Sequence, residues 1–81
     1  MKISPTLVVD KLNIENFYKK EELLIYHVRI YNMFGIQVFE TKNNKSNILT
    51  LNLSSLGPGI YIVKVFDNLE EVVQIKKIIK K

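Results

Sequence analysis

The sequence predicts an all-β domain, an antiparallel β-sandwich of about six or seven short strands. Runs of β-branched and aromatic residues recur at intervals of roughly 8–12 residues, and Gly, Pro, Asn or Asp residues stand between them. No segment carries apolar residues at the 3.6-residue spacing of an amphipathic helix. A chain of 81 residues has room for one core, so we expect a single domain over residues 1–81.

The first part of the chain predicts short extended segments joined by polar loops. Pro5 disfavours helix at the residue before it, so residues 4–6 are expected to form a turn or an extended lead-in. We predict a strand at about residues 10–15, with Leu12 and Ile14 on one face and Lys11 and Asn13 on the other, with or without a shorter strand at 7–9 before it. Residues 16–22 are polar and predict a loop with solvated charge.

The middle of the chain predicts a β-hairpin. Residues 24–32 alternate between an apolar and a more polar row, as a strand with one buried face does. The two rows are Tyr26, Val28 and Ile30, and His27, Arg29 and Tyr31. A tight turn follows at 32–35, in which Gly35 is free to take a positive φ. Residues 36–40 form the return strand, and the polar residues 41–47 predict a loop.

The last part predicts three more strands. Residues 48–53 alternate, and their inward row is Leu49, Leu51 and Leu53. Residues 57–59 read Gly-Pro-Gly, so the chain must bend there. Residues 60–66 follow as the most regular strand, with Tyr61, Val63 and Val65 on one face and Lys64 on the other, partly solvated face. Residues 67–70 form a turn, and residues 71–79 form the last strand. The alternation in this last strand does not decide which of its two rows faces the core.

The positive charge of the chain is concentrated at its end. The formal net charge is +4, from 12 Lys and Arg against 8 Asp and Glu. Lys76, Lys77, Lys80 and Lys81 account for the whole excess, because the other 8 basic residues balance the 8 acidic ones. The chain has no cysteine, which excludes disulfides and thiolate sites. No apolar run reaches the roughly 18 residues of a membrane span, so we expect no membrane insertion.

The ionisable residues form no catalytic, metal-binding or cofactor-binding motif. His27 has no second His or Cys to share a metal ion, and neither a nucleophile nor an orienting acid stands near it in the sequence. The glutamate pairs at 21–22 and 70–71 are adjacent, so their side chains would point to opposite faces of a strand. The bend at 57–59 is too short to cradle a phosphate. We therefore predict no enzyme, no metal and no cofactor.

Two other features have both a binding and a structural explanation. The four tyrosines, Tyr18, Tyr26, Tyr31 and Tyr61, could stack bases, but they follow the strand periodicity, so we expect no nucleic acid partner. Tyr61 is expected to pack in the core, with its hydroxyl bonded to the backbone. The lysines of residues 76–81 would either protect an edge strand from aggregation or present a basic extended segment to a partner.

Four motifs follow one another over essentially the whole chain. They are Ser4-Pro5-Thr6 leading to Leu12-Asn13-Ile14, Val28-Arg29-Ile30-Tyr31-Asn32 leading to Gly35-Ile36-Gln37-Val38, Leu53-Ser54-Ser55-Leu56 leading to Gly59-Ile60-Tyr61-Ile62-Val63-Lys64-Val65, and Lys76-Lys77-Ile78-Ile79-Lys80-Lys81. In this order and spacing they resemble the type A C-terminal sorting domain of cargo carried by the type IX secretion system of Bacteroidota. The opening Asn-Pro of the family is absent, and Ile36 separates Gly35 from Gln37.

The resemblance implies an immunoglobulin-like β-sandwich at the end of a larger cargo protein, acting as a signal and not as a catalyst. Its partners would be the outer-membrane translocon with its shuttle components, and a surface sortase-like peptidase that usually removes the domain. The cargo would cross the inner membrane by a signal peptide of its own and then pass through the periplasm to the outer membrane, the cell surface or the medium. We expect the domain to be monomeric. The residues that the motifs carry over for recognition are Gly35, Gln37, Gly57, Gly59, Tyr61, Lys64, Lys76, Lys77, Lys80 and Lys81.

Two expectations distinguish a sorting domain with a lysine address from a binding module and from a purely structural lysine tail. A β-sandwich that binds carbohydrate or protein on a sheet face would instead cluster Tyr18, Tyr26 or Tyr31 on one open face. If the lysine tail is an address, its removal should stop export and leave residues 1–75 folded. Unfolding of the shortened chain would favour a structural role for the tail.

Overall fold

The computed structural model describes residues 1–16 and 25–81, which form eight β-strands. In chain order these are β1 (Lys2–Ser4), β2 (Leu7–Val8), β3 (Lys11–Glu15), β4 (Ile25–Tyr31), β5 (Gln37–Asn44), β6 (Ile48–Asn52), β7 (Gly59–Asp67) and β8 (Val72–Lys80). This part of the chain contains no helix long and apolar enough to cross a membrane. The predicted loop at 16–22 lies, beyond Asn16, outside the described residues.

The strands form two sheets that face each other across one core. A three-stranded sheet has the order β1-β3-β6, and a five-stranded sheet has the order β2-β8-β7-β4-β5. β2 and β8 run parallel, while the other pairs are antiparallel. The predicted all-β sandwich is confirmed, and its two layers fit an immunoglobulin-like architecture. β1 is a strand that the sequence did not predict, and it forms because Ile3 pairs with Ile14 of β3.

The core contains one row of side chains from each of the longer strands. The rows predicted to face inward along β3, β4 and β7 are buried, and Leu49 of β6 lies half-buried at the margin. The core residues are Ile3, Val8, Leu12, Ile14, Tyr26, Val28, Ile30, Leu51, Leu53, Tyr61, Val63, Val65 and Ile78. Both sheets contribute to this set, so burial of apolar surface holds the two layers together.

The fifth strand is longer than the sequence predicted. Residues 41–47 predicted a loop, yet β5 pairs with β4 as far as the partners Ile25 and Asn44. β5 is the outer strand of the five-stranded sheet, so polar residues there can remain in solvent. Asn43 is buried, and its Nδ2 donates a 2.8 Å hydrogen bond to the carbonyl of Ser46. Strand pairing therefore overrides the polar composition of this segment.

The last strand faces the core with the row that carries more polar residues. Gln74, Lys76, Ile78 and Lys80 point inward, while Val73, Ile75, Lys77 and Ile79 are exposed. The register with β7 sets this choice, because Ile78 pairs with the buried Tyr61 and must share its face. β2 pairs with β8 at Ile79 and Lys80, which leaves the rest of β8 as a sheet edge among the described residues.

Two connections and the end of the last strand lie at the same end of the five-stranded sheet. The β4–β5 turn at residues 32–36 follows the end of β4, and the bend at 57–59 leads into the start of β7. β8 ends beside that bend, since Lys80 pairs with Gly59. We call the region formed by residues 32–36, 57–59 and 80–81 the turn end.

Candidate functional site

The β4–β5 turn holds two large apolar side chains in solvent. The N–H of Gly35 donates to the carbonyl of Asn32 at 3.0 Å, and Asn32 Oδ1 accepts from the N–H groups of Phe34 and Ile36 at 2.9 and 3.0 Å. Gly35 has a φ of 78°, as the sequence predicted. These hydrogen bonds fix the turn, while Met33 and Phe34 remain 66% and 87% exposed.

The bend at 57–59 is fastened by Tyr61. The Tyr61 ring is buried, and its hydroxyl donates a 2.7 Å hydrogen bond to the carbonyl of Gly57. This is the core packing with a backbone hydrogen bond that the sequence predicted. A Cβ atom on Gly57 would meet nothing within 4 Å, and one on Gly59 would meet the Tyr61 ring at an ordinary 3.8 Å. Close packing therefore does not require glycine at either position, but the φ of 158° at Gly59 disfavours other residues there.

The turn and the bend lie side by side in space. A groove of about 170 Å³ between them is lined by Met33 and Phe34 from the turn and by Pro58, Gly59 and Tyr61 from the bend. Two segments that the sequence singled out therefore form one surface. Met33 and Phe34 are not among the recognition residues predicted from the sequence, although two large apolar residues inside a tight turn indicate exposure.

A larger groove opens on the outer face of the five-stranded sheet. Its volume is about 330 Å³, and it is lined by Tyr31, Asn32, Met33, Gly35, Ile62 and Lys64. The Lys64 ammonium lies 5.1 Å from the centroid of the Tyr31 ring, a cation–π contact. Gln37 is not part of this groove, and its Nε2 donates a 3.0 Å hydrogen bond to Glu40 Oε2 on the outer strand.

The lysine tail is divided between the interior and the surface. Lys76 is half-buried, and its Nζ donates a 2.6 Å hydrogen bond to the carbonyl of Ile3. Lys80 is buried, and its Nζ donates to the carbonyl of Lys81 at 2.8 Å. Lys77 and Lys81 are exposed. Four lysines that look equivalent in the sequence thus occupy two different environments, and two of them are available to a partner.

A cluster of charges that the sequence did not reveal lies on the same outer face. Arg29 Nη2 is 3.1 Å from Glu70 Oε2, and Arg29 Nε is 3.6 Å from Glu40 Oε1. His27 Nε2 is 4.0 Å from Glu70 Oε1. Burial opposes the charge of Arg29, but Glu70 and Glu40 together raise the pKa of its guanidinium. Within the described ranges, no three His, Cys, Asp or Glu residues could hold a metal ion, so this cluster is an ion-pair network.

The tyrosines within the described ranges do not form the aromatic platform that a sheet-face binding module would need. Tyr26 is buried in the core, whereas its neighbour on β4, Tyr31, lies on the opposite, outer face. Tyr61 is buried as well. Tyr18 lies outside the described residues. The pair Tyr26 and Tyr31 is therefore separated by the sheet itself.

The fold and the turn end together define a small β-sandwich module that presents one continuous surface, made of a turn, a bend and the end of the last strand. The chain belongs to the family described as the secretion system C-terminal sorting domain, whose model matches residues 2–81. The resemblance to type IX sorting domains is thereby confirmed. Domains of this family are signals for export across the outer membrane, to the cell surface or the medium. The family is not a catalytic one.

A curated relative is ulvan lyase NLR42 from Nonlabens ulvanivorans. It is 38% identical over 52 residues, which are 64% of this chain and 10% of that protein. The chain thus covers about a tenth of the length of the curated relative it matches. The source of the relative fits the assignment to Bacteroidota. No solved structure matches the chain.

Proposed function

We propose that this domain guides an attached cargo protein from the periplasm to the outer-membrane translocon of the type IX system and its shuttle components. A surface sortase-like peptidase then removes the domain. The match of the sorting-domain model to residues 2–81 carries this proposal. The relative named as an ulvan lyase is about ten times longer than the matched segment, which supports a role for the domain as a small part of a large cargo protein.

The residues carried over from the family motifs divide into two roles in this proposal. Tyr61, Lys76 and Lys80 are buried or half-buried and bonded to backbone carbonyls, so they act by holding the fold. Gly57 and Gly59 shape the bend beside Tyr61. Gln37 is exposed on the outer strand and does not line the larger groove.

The remaining residues of the motifs can touch a partner, because each of them is exposed or lines the larger groove. Gly35 and Lys64 line this groove, and Lys77 and Lys81 are exposed on or next to the last strand. A partner that binds the folded domain would contact these four residues together. Recognition then depends on a correctly folded sandwich and not on the basic tail by itself.

The experiment is a fusion of residues 1–81 to the end of a reporter that carries its own periplasmic signal peptide, in a host with a working type IX system. We expect the reporter at the cell surface or in the medium, shortened by about the 9.5 kDa of the domain when the peptidase acts. The matched control is the same fusion in a strain that lacks the translocon. A reporter that stays in the periplasm of the competent host would disprove the sorting function, and export at full length would disprove only the cleavage.

A further inference from the structure

The outer face of the five-stranded sheet carries a contiguous apolar surface near the turn end. Residues paired directly across strands point to the same face of a sheet. Three cross-strand rows follow from the register, namely Leu7 with Ile79 and Ile60, Lys77 with Ile62 and Tyr31, and Ile75 with Lys64 and Arg29. Leu7, Ile75 and Ile79 are between 41% and 56% exposed. The larger groove continues this surface to Met33 of the turn.

The opposite outer face of the sandwich has a different composition. The outward residues of the three-stranded sheet are Lys2, Ser4, Lys11, Asn13, Glu15, Ile48, Thr50 and Asn52, of which Ile48 is apolar. Thr50 Oγ1 donates a 2.9 Å hydrogen bond to Asn13 Oδ1 across this face. The exposed apolar surface is therefore concentrated on the five-stranded sheet, and a concentrated patch of this kind marks an interaction site.

Among the described residues, two cations of the apolar face, Lys64 and Lys77, have no anionic partner. Among the described residues, Lys77 makes no hydrogen bond or ion pair, and it stands between Ile75 and Ile79 on its strand. Lys64 contacts the Tyr31 ring and no carboxylate. By contrast, the nearby Arg29 is already paired with Glu70 and Glu40. Two uncompensated ammonium groups thus lie within an apolar surface.

We propose that this outer face, centred on Ile62, Lys64 and Lys77, is the docking surface for a protein of the export pathway that presents an apolar patch with carboxylates around it. The inference rests on the proposed sorting function and assigns it a surface. Charge complementarity selects the partner, because carboxylates would pair with Lys64 and Lys77 while apolar groups cover the isoleucines. The five strands of this sheet, which are two to nine residues long, give a face on the order of 600 Å², close to one side of a small specific interface.

Two other occupants fit the face less well. A second copy of the chain, packed face to face, would bring Lys64 and Lys77 against the same cations, and like charges in contact oppose association. An anionic membrane is recognised by clusters of roughly four to eight Lys or Arg residues. This part of the face carries two uncompensated lysines, with Lys42 further along on β5.

The test compares two double charge reversals in the reporter fusion. Lys64→Glu with Lys77→Glu changes the proposed docking surface. Lys2→Glu with Lys11→Glu makes the same change of charge on the outer face of the three-stranded sheet. We expect the first variant to lower the exported fraction about tenfold or more, since repulsion replaces attraction at the interface. The control should stay within about twofold of the unchanged fusion, because isolated surface charges contribute little.

A binding assay on the purified chain identifies the class of partner. The probes are outer membranes from the competent host, outer membranes from a translocon-deficient strain, and protein-free vesicles of the host lipids. We expect the chain to bind the first and not the other two, and Lys64→Glu with Lys77→Glu to remove that binding. Equal retention on the vesicles would overturn the proposal in favour of lipid, and a concentration-dependent dimer broken by the same variant would overturn it in favour of a second copy.

The outcomes also separate this proposal from the sorting function. If the unchanged fusion is not exported, the sorting function fails. If it is exported and the Lys64→Glu, Lys77→Glu variant is exported equally well, the docking surface is wrong and the sorting function stands. Thermal unfolding of both variants shows whether each is folded. Should the double variant not fold, Lys77→Glu alone replaces it, because the exposed Lys77 makes no bond that holds the fold.

Discussion

The Nζ of Lys76 donates a 2.6 Å hydrogen bond to the backbone carbonyl of Ile3. Lys76 lies on β8 of the five-stranded sheet, and Ile3 lies on β1 at the edge of the three-stranded sheet. The bond therefore ties the last strand of the chain to the first, across the two layers. Lys76 belongs to a basic motif in the sequence, but in the folded domain its side chain connects the two sheets.

Replacement of Lys76 by Met tests this tie. Methionine keeps an unbranched stem but removes the donor, so the carbonyl of Ile3 loses its charged partner. We expect the free energy of unfolding to fall by about 1.5–3 kcal/mol, the range for hydrogen bonds to charged groups. Lys77→Met is the matched control, since Lys77 is exposed on the other face, and it should change stability by less than about 0.5 kcal/mol. Urea unfolding measures both, and equal effects would contradict the assignment of opposite faces.

Removal of residues 76–81 is expected to unfold the domain. The truncation deletes Ile78, which is fully buried and pairs with Tyr61, and it deletes the segment of β8 that β2 covers. This differs from the sequence-based expectation that residues 1–75 would stay folded. Far-ultraviolet circular dichroism and limited proteolysis of the shortened chain measure the outcome. A protease-resistant, β-rich fragment of residues 1–75 would show that the tail is dispensable for folding.

Two of the exposed glycines of the turn end, Gly35 and Gly57, should respond differently to alanine. Gly35 has a φ of 78°, which strains any L-residue, so Gly35→Ala should lower the free energy of unfolding by about 1 kcal/mol. Gly57 lacks a positive φ and a Cβ there would meet nothing within 4 Å, so Gly57→Ala should cost less than about 0.5 kcal/mol. Chemical denaturation of both variants provides the comparison, and a larger loss for Gly57→Ala would show that the bend needs its glycine.

Two buried tyrosines differ in what their hydroxyls do. The Tyr61 hydroxyl bonds the Gly57 carbonyl, whereas the Tyr26 hydroxyl is buried without a partner among the described residues. Tyr61→Phe should therefore lower the free energy of unfolding by about 1 kcal/mol, while Tyr26→Phe should leave it unchanged or raise it. Thermal melts at neutral pH measure both. A destabilised Tyr26→Phe variant would contradict the absence of a hydrogen-bond partner for this hydroxyl among the described residues.

Tyr26 should also make the fold sensitive to alkali. Burial raises the pKa of its phenol from 10.0 to about 12. Between pH 10 and 12 the unfolded chain has lost this proton and the folded chain keeps it, so stability falls as the pH rises through that window. The full loss approaches ~3 kcal/mol, since the pKa shift is about two units and one unit corresponds to about 1.4 kcal/mol. The contribution of Tyr26 is measured as the difference in unfolding free energy between Tyr26→Phe and the unchanged chain at each pH. The lysines titrate alike in both chains, so their effect cancels. A constant difference from pH 9 to 12 would contradict the prediction.

Local patterns predicted the parts of the fold that local physics decides. Alternation along β4 and β7 identified the buried rows, since a strand with one covered face must alternate. Gly35 and Gly59 marked real changes of chain direction, because both take a positive φ that few other residues tolerate. β1 and the end of β5 were not predicted, because their sequences are unremarkable and pairing with β3 and β4 makes them strands.

The candidate surface was only partly visible in the sequence. The motifs pointed to Gly35, Lys64 and the lysine tail, and the structure brings the first two into one groove. The ion pairs of Arg29 with Glu70 and Glu40 had no signal in the spacing, because they depend on strand pairing and on the β7–β8 turn. The apolar rows around Ile62 were equally hidden, since they exist only once β8 lies beside β7.

By itself, the sequence determined the all-β class, the turns, the inward rows of the regular strands and membership of the sorting-domain family. Only the tertiary structure decided which lysines of the tail are available. Alternation requires Lys76 and Lys77 to point to opposite faces but does not say which of them points inward. That choice follows from the pairing of Ile78 with the buried Tyr61 and from the reach of Lys76 to Ile3 in the other sheet. Both are contacts between segments far apart in the chain, which no local pattern records.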